Sequence, residues 1–399
     1  PDQYSKTRRP WRSSQTLVMH VAQRSAFPCL ILRFPALCAG TRSSSRIMQT
    51  MTRSIKACSL GQLEQLMAEF GQPKFRAAQL AQWLYVHHVN SYDQMTNLSL
   101  SLRSKLTEAY PLSVPSIVDK QVSHDGTRKY VLECEDGKRV ETVAMPSGSQ
   151  APDDVRERLT VCFSTQVGCA MQCAFCETGH EGFSRNLSVG EMVDQILIAQ
   201  EDMGQRVSNV VAMGQGEPFL NYDNTLAALR ILNHAKLLKI GARRITVSTC
   251  GIIPGINRFA NEPEQFTLAV SLHAARQSVR DVLMPQMTNQ PLSRLRKALQ
   301  QYLEKTDRRI TLEYLLIDGI NDSEEDLAAL IDFCSGLLVH INLLPMNAVA
   351  SSCLQPSPPS TVFQWREELE RKHIETTLRK SRGADIAGAC GQLKNAVAR

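Results

Sequence analysis

A chain of 399 residues, 43% of them hydrophobic, is long enough for two or three domains or for one large α/β barrel with additions. Its twelve cysteines are too few and too unevenly placed for a disulfide framework, which points to a reducing compartment. The net charge of +6 does not describe a generally basic nucleic-acid binder: residues 1–60 hold eight arginines and two lysines against Asp2 alone, or +9, so the rest carries −3.

The first sixty residues are rich in Arg and Ser, with a short apolar run from Phe27 to Ala39 broken by Arg33 and Pro35. This composition suits an organelle transit peptide over residues 1–58 and is too interrupted to span a membrane. The expected destination is then a plastid or mitochondrion. A start at Met48 or Met51, or an untranslated or disordered leader, would instead give a cytoplasmic protein without membrane association.

Residues 59–115 read as helical, with Leu60, Leu63, Leu66, Met67 and Phe70 on one face, a break at Gly71-Gln-Pro, and further runs at Phe75–His88 and Leu98–Tyr110. Over 116–150 the period changes to two around the turn dipeptides Asp125-Gly126 and Asp136-Gly137, which predicts a short antiparallel β extension. From 151 to 382 strands alternate with helices, the mark of a parallel α/β barrel. Strands are expected near Leu159–Ser164, Asn209–Met213, Arg244–Ser248, Phe266–Ser271, Ile310–Leu316 and His340–Leu344. Ser188-Val-Gly-Glu191 and Asp322-Ser-Glu-Glu-Asp mark helix starts. Residues 383–399 form a C-terminal tail, expected to be flexible from its small residues Gly388, Ala389 and Gly391.

The densest chemistry is Cys169-Ala-Met-Gln-Cys173-Ala-Phe-Cys176. Three thiols at these spacings converge on one centre if the backbone wraps it as a loop. Structural zinc wants four ligands, and electron-transfer iron–sulfur proteins also bring four cysteines. Three leave one iron of a cubane open to a ligand. On spacing alone, a zinc knuckle completed from afar and three core cysteines remain open.

The clasp, with Phe175 before its last cysteine, resembles the radical SAM (S-adenosylmethionine) signature. Its flanks, Cys162-Phe-Ser-Thr-Gln-Val-Gly-Cys169 and Glu177-Thr-Gly-His-Glu-Gly-Phe-Ser-Arg-Asn-Leu187, and the distant Arg382-Gly-Ala-Asp-Ile-Ala-Gly-Ala-Cys390-Gly-Gln-Leu393 resemble the RlmN/Cfr family of RNA adenine methyltransferases. The resemblance runs from about Leu60 to Leu393. It implies a partial (β/α)6 TIM barrel with a small N-terminal helical accessory domain, one [4Fe-4S] cluster on Cys169, Cys173 and Cys176, and SAM chelating the open iron. The helical domain is then implicated in RNA handling, with a plain structural cap as the alternative.

By the same resemblance, SAM is contacted at Gly216 and Glu217 in Gly214-Gln-Gly-Glu-Pro, at Ser248, at Ser271-Leu272-His273, and at Asn347. Gln215 stands where relatives usually carry Met. These four sites stand at the carboxyl ends of four different predicted strands, so together they would ring one pocket. Glu141 matches an essential carboxylate, a base near the target adenine. Cys390 matches the cysteine that carries the methyl group, and Cys162 the cysteine that resolves the protein–RNA adduct through a disulfide.

Carbon 2 of adenine is electron-poor and will not attack a sulfonium methyl, which is why the family uses two SAM molecules: one methylates Cys390, and the other yields the radical that activates the methyl group. The implied target is C2 of adenosine 2503 in 23S rRNA, with adenosine 37 of tRNA as a second substrate and a Cfr-type C8 product as the alternative. A non-catalytic zinc and RNA-binding module is the alternative of another class. A flavodoxin or ferredoxin is the expected electron donor, and the chain is expected to be a monomer. The basic run Arg371, Lys372, His373, Arg379, Lys380 and Arg382 is a candidate phosphate grip around an extruded base, or a solvated face.

Overall fold

The computed structural model describes residues 54–147, 158–349 and 352–395. The expected leader lies outside the described residues as far as residue 53. The folded body, however, reaches back past the 58/59 boundary: Ile55 and Lys56 are fully buried, and Lys56 Nζ pairs with Asp194 at 2.5 Å. A buried ammonium requires such a partner, so this segment is packed rather than trailing.

Three helices follow, α1 (Leu60–Glu69), α2 (Phe75–Tyr85) and α3 (Leu100–Ala109). Ser59 and Gln62 close a capping box on α1, and Ser99 caps α3. Leu63, Met67, Leu80, Leu84 and Leu106, all fully buried, supply the apolar face. The meander is β1 (Ser116–Val122), β2 (Arg128–Glu133) and β3 (Arg139–Ser147), joined at Gly126 and Gly137, which take φ of +81° and +74°.

β3 pairs antiparallel with β4 (Arg158–Cys162), so the extension and the barrel share one ten-stranded sheet. From β4 the order runs parallel through β7 (Asn209–Ala212), β8 (Ile245–Thr249), β9 (Thr267–Ser271), β10 (Ile310–Leu316) and β11 (Val339–Pro345). These are the six expected strands. A seventh, β12 (Glu375–Leu378), continues the parallel series beside β11. The sequence had shown only a basic run around it, because four residues flanked by cations carry too little apolar period to stand out.

β5 (Gln166–Gly168) and β6 (Phe183–Asn186) form a separate hairpin bracketing the cysteine loop and a short helix, α4 (Glu177–Glu181). The barrel helices are α5 (Val189–Met203), α6 (Tyr222–Asn233), α7 (Ile253–Phe259), α8 (Gln277–Leu283), α9 (Leu292–Thr306), α10 (Glu324–Cys334) and α11 (Pro359–Arg371). Both expected capping boxes form, Ser188 with Glu191 and Ser323 with Asp326. The ten cysteines among the described residues carry no disulfide, and no helix among those residues is long and apolar enough to cross a membrane.

Candidate active site

The cysteine loop leaves β5 through Gly168, at φ +72°, where a Cβ would stand 1.9 Å from Gly182 O. Only glycine fits, and the hairpin can then close with Cys169 N donating to Gly182 O at 2.9 Å. Cys176 N donates to Cys173 O at 3.1 Å, and Ala174 N to Leu283 O at 3.0 Å, tying the loop to the end of α8. Burial first, and the neighbouring thiols after it, push the Cys169 thiol up to about 12 and the Cys176 thiol up to about 11, so thiolates here need a cationic group to hold them.

The three cysteines line one cavity of about 160 Å³ with Gly216, Glu217, Ser248, Ser271, His273 and Asn347. Among the described residues, no three of His, Cys, Asp or Glu close round a single ion. Thiols opening from several sides onto one shared space suit a multi-atom cluster.

The rest of the wall is set by strand ends. Gly216, at φ +98°, passes so close to Gln166 that a Cβ would lie 2.5 Å from its Cβ. Glu217 is buried, its oxygens accepting from Phe219 N at 3.0 Å and Cys250 N at 2.7 Å, and burial pushes its carboxyl up. Ser248 and Ser271 face each other with hydroxyls 3.5 Å apart. His273 accepts from Leu315 N on Nδ1 at 3.1 Å, and burial holds it down at about 3, so its ring is neutral. Leu272 differs from the others: its side chain belongs to the main core and does not line the cavity.

A second cavity, about 490 Å³, adjoins the first and shares Cys176, Thr178, Met213, Gly214, Asn347, Arg379 and Cys390 with it. Cys162, at the end of β4, lines it opposite Cys390. Burial pushes the Cys162 thiol up to about 12, and the Cys390 thiol adds to that shift, so the two are within electrostatic reach. Cys390 has exposed surface yet is walled in on all sides; that surface faces the cavity.

The tail carrying Cys390 is docked, where its small residues had suggested mobility. Arg382 donates to Pro146 O, and Asp385 accepts from Ser123 Oγ at 2.6 Å. Glu177 N donates to Gly391 O at 2.8 Å, Thr178 Oγ1 to Leu393 O at 2.7 Å, and Asn347 Nδ2 to Cys390 O at 3.2 Å. Leu393 closes a small apolar cluster with Val143 and Cys162, a burial that contributes about 1.5–3 kcal/mol. Glu141 sits beneath this strap, fully buried, with Lys129 Nζ 3.1 Å from Oε1 and Lys394 N donating to Oε2 at 2.9 Å. Glu141 lines neither cavity.

Comparison with known proteins agrees with this geometry. Residues 163–331 match the Radical SAM superfamily model, and residues 55–111 the ribosomal RNA large subunit methyltransferase N-terminal domain. The chain is 41% identical to the probable dual-specificity RNA methyltransferase RlmN of Clostridium novyi, over 86% of this chain and 98% of the relative. It belongs to the RlmN family of the radical SAM superfamily. A second RlmN-named protein, from Staphylococcus aureus, is 43% identical over 86% of this chain and 93% of its own length. A crystal structure of a radical SAM methyltransferase from Sphaerobacter thermophilus superposes with a TM-score of 0.80 at 41% identity, covering 86% and 99% of the two chains.

In this RlmN-family chain several site residues escaped the sequence. Arg379, read as part of a basic run that either grips phosphate or faces solvent, lines both cavities near Cys162, Cys390 and Glu313. Glu313, on β10, is buried at the first cavity and accepts from Asn342 Nδ2 at 2.9 Å. The basic run itself is split by β12: Arg371, Lys372 and His373 precede the strand, and Arg379, Lys380 and Arg382 follow it at the cavity rim. Four residues of strand, at roughly 3.3 Å each, separate the two groups. A strand assignment for 375–378 would have signalled this.

Proposed function

We propose that this chain is a radical SAM RNA methyltransferase acting on C2 of adenosine 2503 in 23S rRNA and also on adenosine 37 of tRNA. The observation that supports it most is the placement of Cys162 and Cys390 across one cavity that opens directly into the cavity of Cys169, Cys173 and Cys176. An activase or any enzyme without a methyl-carrying intermediate has no use for the first pair. The dual-specificity name of the relatives supports the two-RNA reading.

In this reading Cys169, Cys173 and Cys176 hold the [4Fe-4S] cluster, which when bound supplies the electron for reductive cleavage of SAM. Gly216 and Glu217 hold the SAM amino end, and Ser248, Ser271, His273 and Asn347 line the rest; Leu272 contributes through its backbone. Cys390 accepts the methyl group at Sγ. Arg379, beside both thiols, draws Cys390 toward thiolate against the opposing effect of burial. Cys162, opposite, is placed to form the disulfide that releases methylated RNA. Glu141 has its carboxylate engaged by Lys129 and the tail, so its role as a base near adenine requires the strap to shift when RNA enters.

The test is anaerobic reconstitution with iron and sulfide, then incubation with SAM, a reductant of the flavodoxin class and rRNA fragments. The expected result is 5′-deoxyadenosine formation with 2-methyladenosine in digested RNA. Colourless protein holding zinc but no sulfide would overturn the reading, and 8-methyladenosine would replace the C2 assignment with C8.

A further inference from the structure

Among the described residues, the buried lysines and arginines have carboxylate partners, with one exception. Lys56 pairs with Asp194, and Lys129 with Glu141. Arg280, on α8, is 0% exposed, yet among the described residues no carboxylate forms an ion pair with it. Its guanidinium donates to Leu272 O, to Ser271 O at 3.2 Å and to Cys250 O at 2.6 Å, while Nε has no partner. Three carbonyls soften the charge without cancelling it, and an uncompensated buried charge costs several kcal/mol. Evolutionary accident is a poor account of so costly a placement when Leu or Met would fill the space.

Its position supplies the reason. Two of the three carbonyls belong to residues that line the cysteine-lined cavity, Cys250 and Ser271, and the third to Leu272 between Ser271 and His273. The last carbonyl of α8, Leu283 O, holds the cysteine loop through Ala174 N at 3.0 Å. Cys250, Cys173 and Asp281 are the groups whose negative charge, when ionised, favours the charged Arg280. His273 is neutral and adds no charge there. A cubane on three thiolates is anionic, and accepting an electron adds one more negative charge in a region of low dielectric.

We propose that Arg280 is the fixed counter-charge of the anionic iron–sulfur group at Cys169, Cys173 and Cys176, a positioning residue that raises its reduction potential. The inference rests on reading that site as an iron–sulfur centre. Arginine suits the task because it stays protonated even when burial pulls its pKa down, and its fork can hold several carbonyls at once.

The test uses full-length wild type, Arg280→Lys and Arg280→Gln, each reconstituted anaerobically and titrated with a reductant under EPR, without SAM or RNA. In R280Q the affinity for the electron should fall at least tenfold, about 59 mV for one electron, while R280K stays within threefold of wild type. A cluster-loaded R280Q with the wild-type potential overturns the inference, as does a loaded R280K that falls as far as R280Q. Where R280Q takes up no iron, R280K decides by the same criterion. Should both variants fold with the wild-type Tm and load no cluster, Arg280 is a structural tie and the inference fails. Wild type that binds no iron and sulfide refutes the site reading itself, a distinguishable outcome.

Discussion

The backbone amide of Lys394 donates to Glu141 Oε2 at 2.9 Å, so the tail that carries Cys390 is fastened to a carboxylate 253 residues away. Lys129 holds the other oxygen at 3.1 Å. Burial pushes the Glu141 carboxyl up, and Lys129 then the Lys394 amide pull it back. Glu141→Gln should leave Lys129 buried and unpaired and cost about 3–5 kcal/mol. Adding Lys129→Met should restore most of it, as read by urea unfolding. An E141Q protein as stable as wild type would show that the pair carries no weight.

In the proposed mechanism Cys162 and Cys390 have different jobs despite sharing a cavity, and their variants should fail differently. Cys390→Ala removes the methyl acceptor, so no label from methyl-labelled SAM should enter protein or RNA. Cys162→Ala leaves methyl transfer to Cys390 intact but removes the thiol that releases the product. A covalent protein–RNA species should accumulate on denaturing gels, and turnover should fall at least 100-fold. Free methylated RNA from Cys162→Ala at the wild-type rate would remove Cys162 from the mechanism.

Arg379 opposes the upward push of burial on Cys390. Arg379→Met should therefore raise that thiol further and leave less thiolate near pH 7. The rate of Cys390 methylation, followed without RNA, should fall at neutral pH and recover as pH rises. An unmoved pH profile would show that Arg379 does not act on the thiol.

Gly216→Ala combines a crowded Cβ, 2.5 Å from Gln166 Cβ, with φ of +98°. Strain of this kind costs about 1–3 kcal/mol. Relief requires the Gly214–Glu217 turn to move, which should weaken SAM binding by calorimetry more than it lowers Tm. Wild-type affinity in a folded Gly216→Ala protein would place the turn outside the cofactor site.

The sequence disclosed what repeats or clusters locally. Six strands showed through their apolar runs, the meander through Asp125-Gly126 and Asp136-Gly137, and the cysteine loop through its spacing. What it hid depends on approach between distant segments. Nothing near Arg379 says that it faces Cys390, because the short strand before it decides which way the side chain points. Lys129 and Glu141 meet through the register of β2 and β3, where Val131 rather than Lys129 stands directly opposite Glu141. Arg280 reads as an ordinary helix cation until its surroundings prove to be carbonyls and thiols. The tail looked mobile from its glycines and alanines, yet Leu393 and the backbone bonds of Gly391 dock it.

The most direct test of the central claim is a pulse–chase on anaerobically reconstituted protein, with methyl-labelled SAM first and unlabelled SAM plus rRNA afterwards. The account predicts label on Cys390 before RNA is added, then its passage to carbon 2 of one adenosine, with 5′-deoxyadenosine appearing in step. Label that reaches RNA without ever residing on Cys390, or that reaches it in a chain lacking the Cys169–Cys176 thiols, would contradict it.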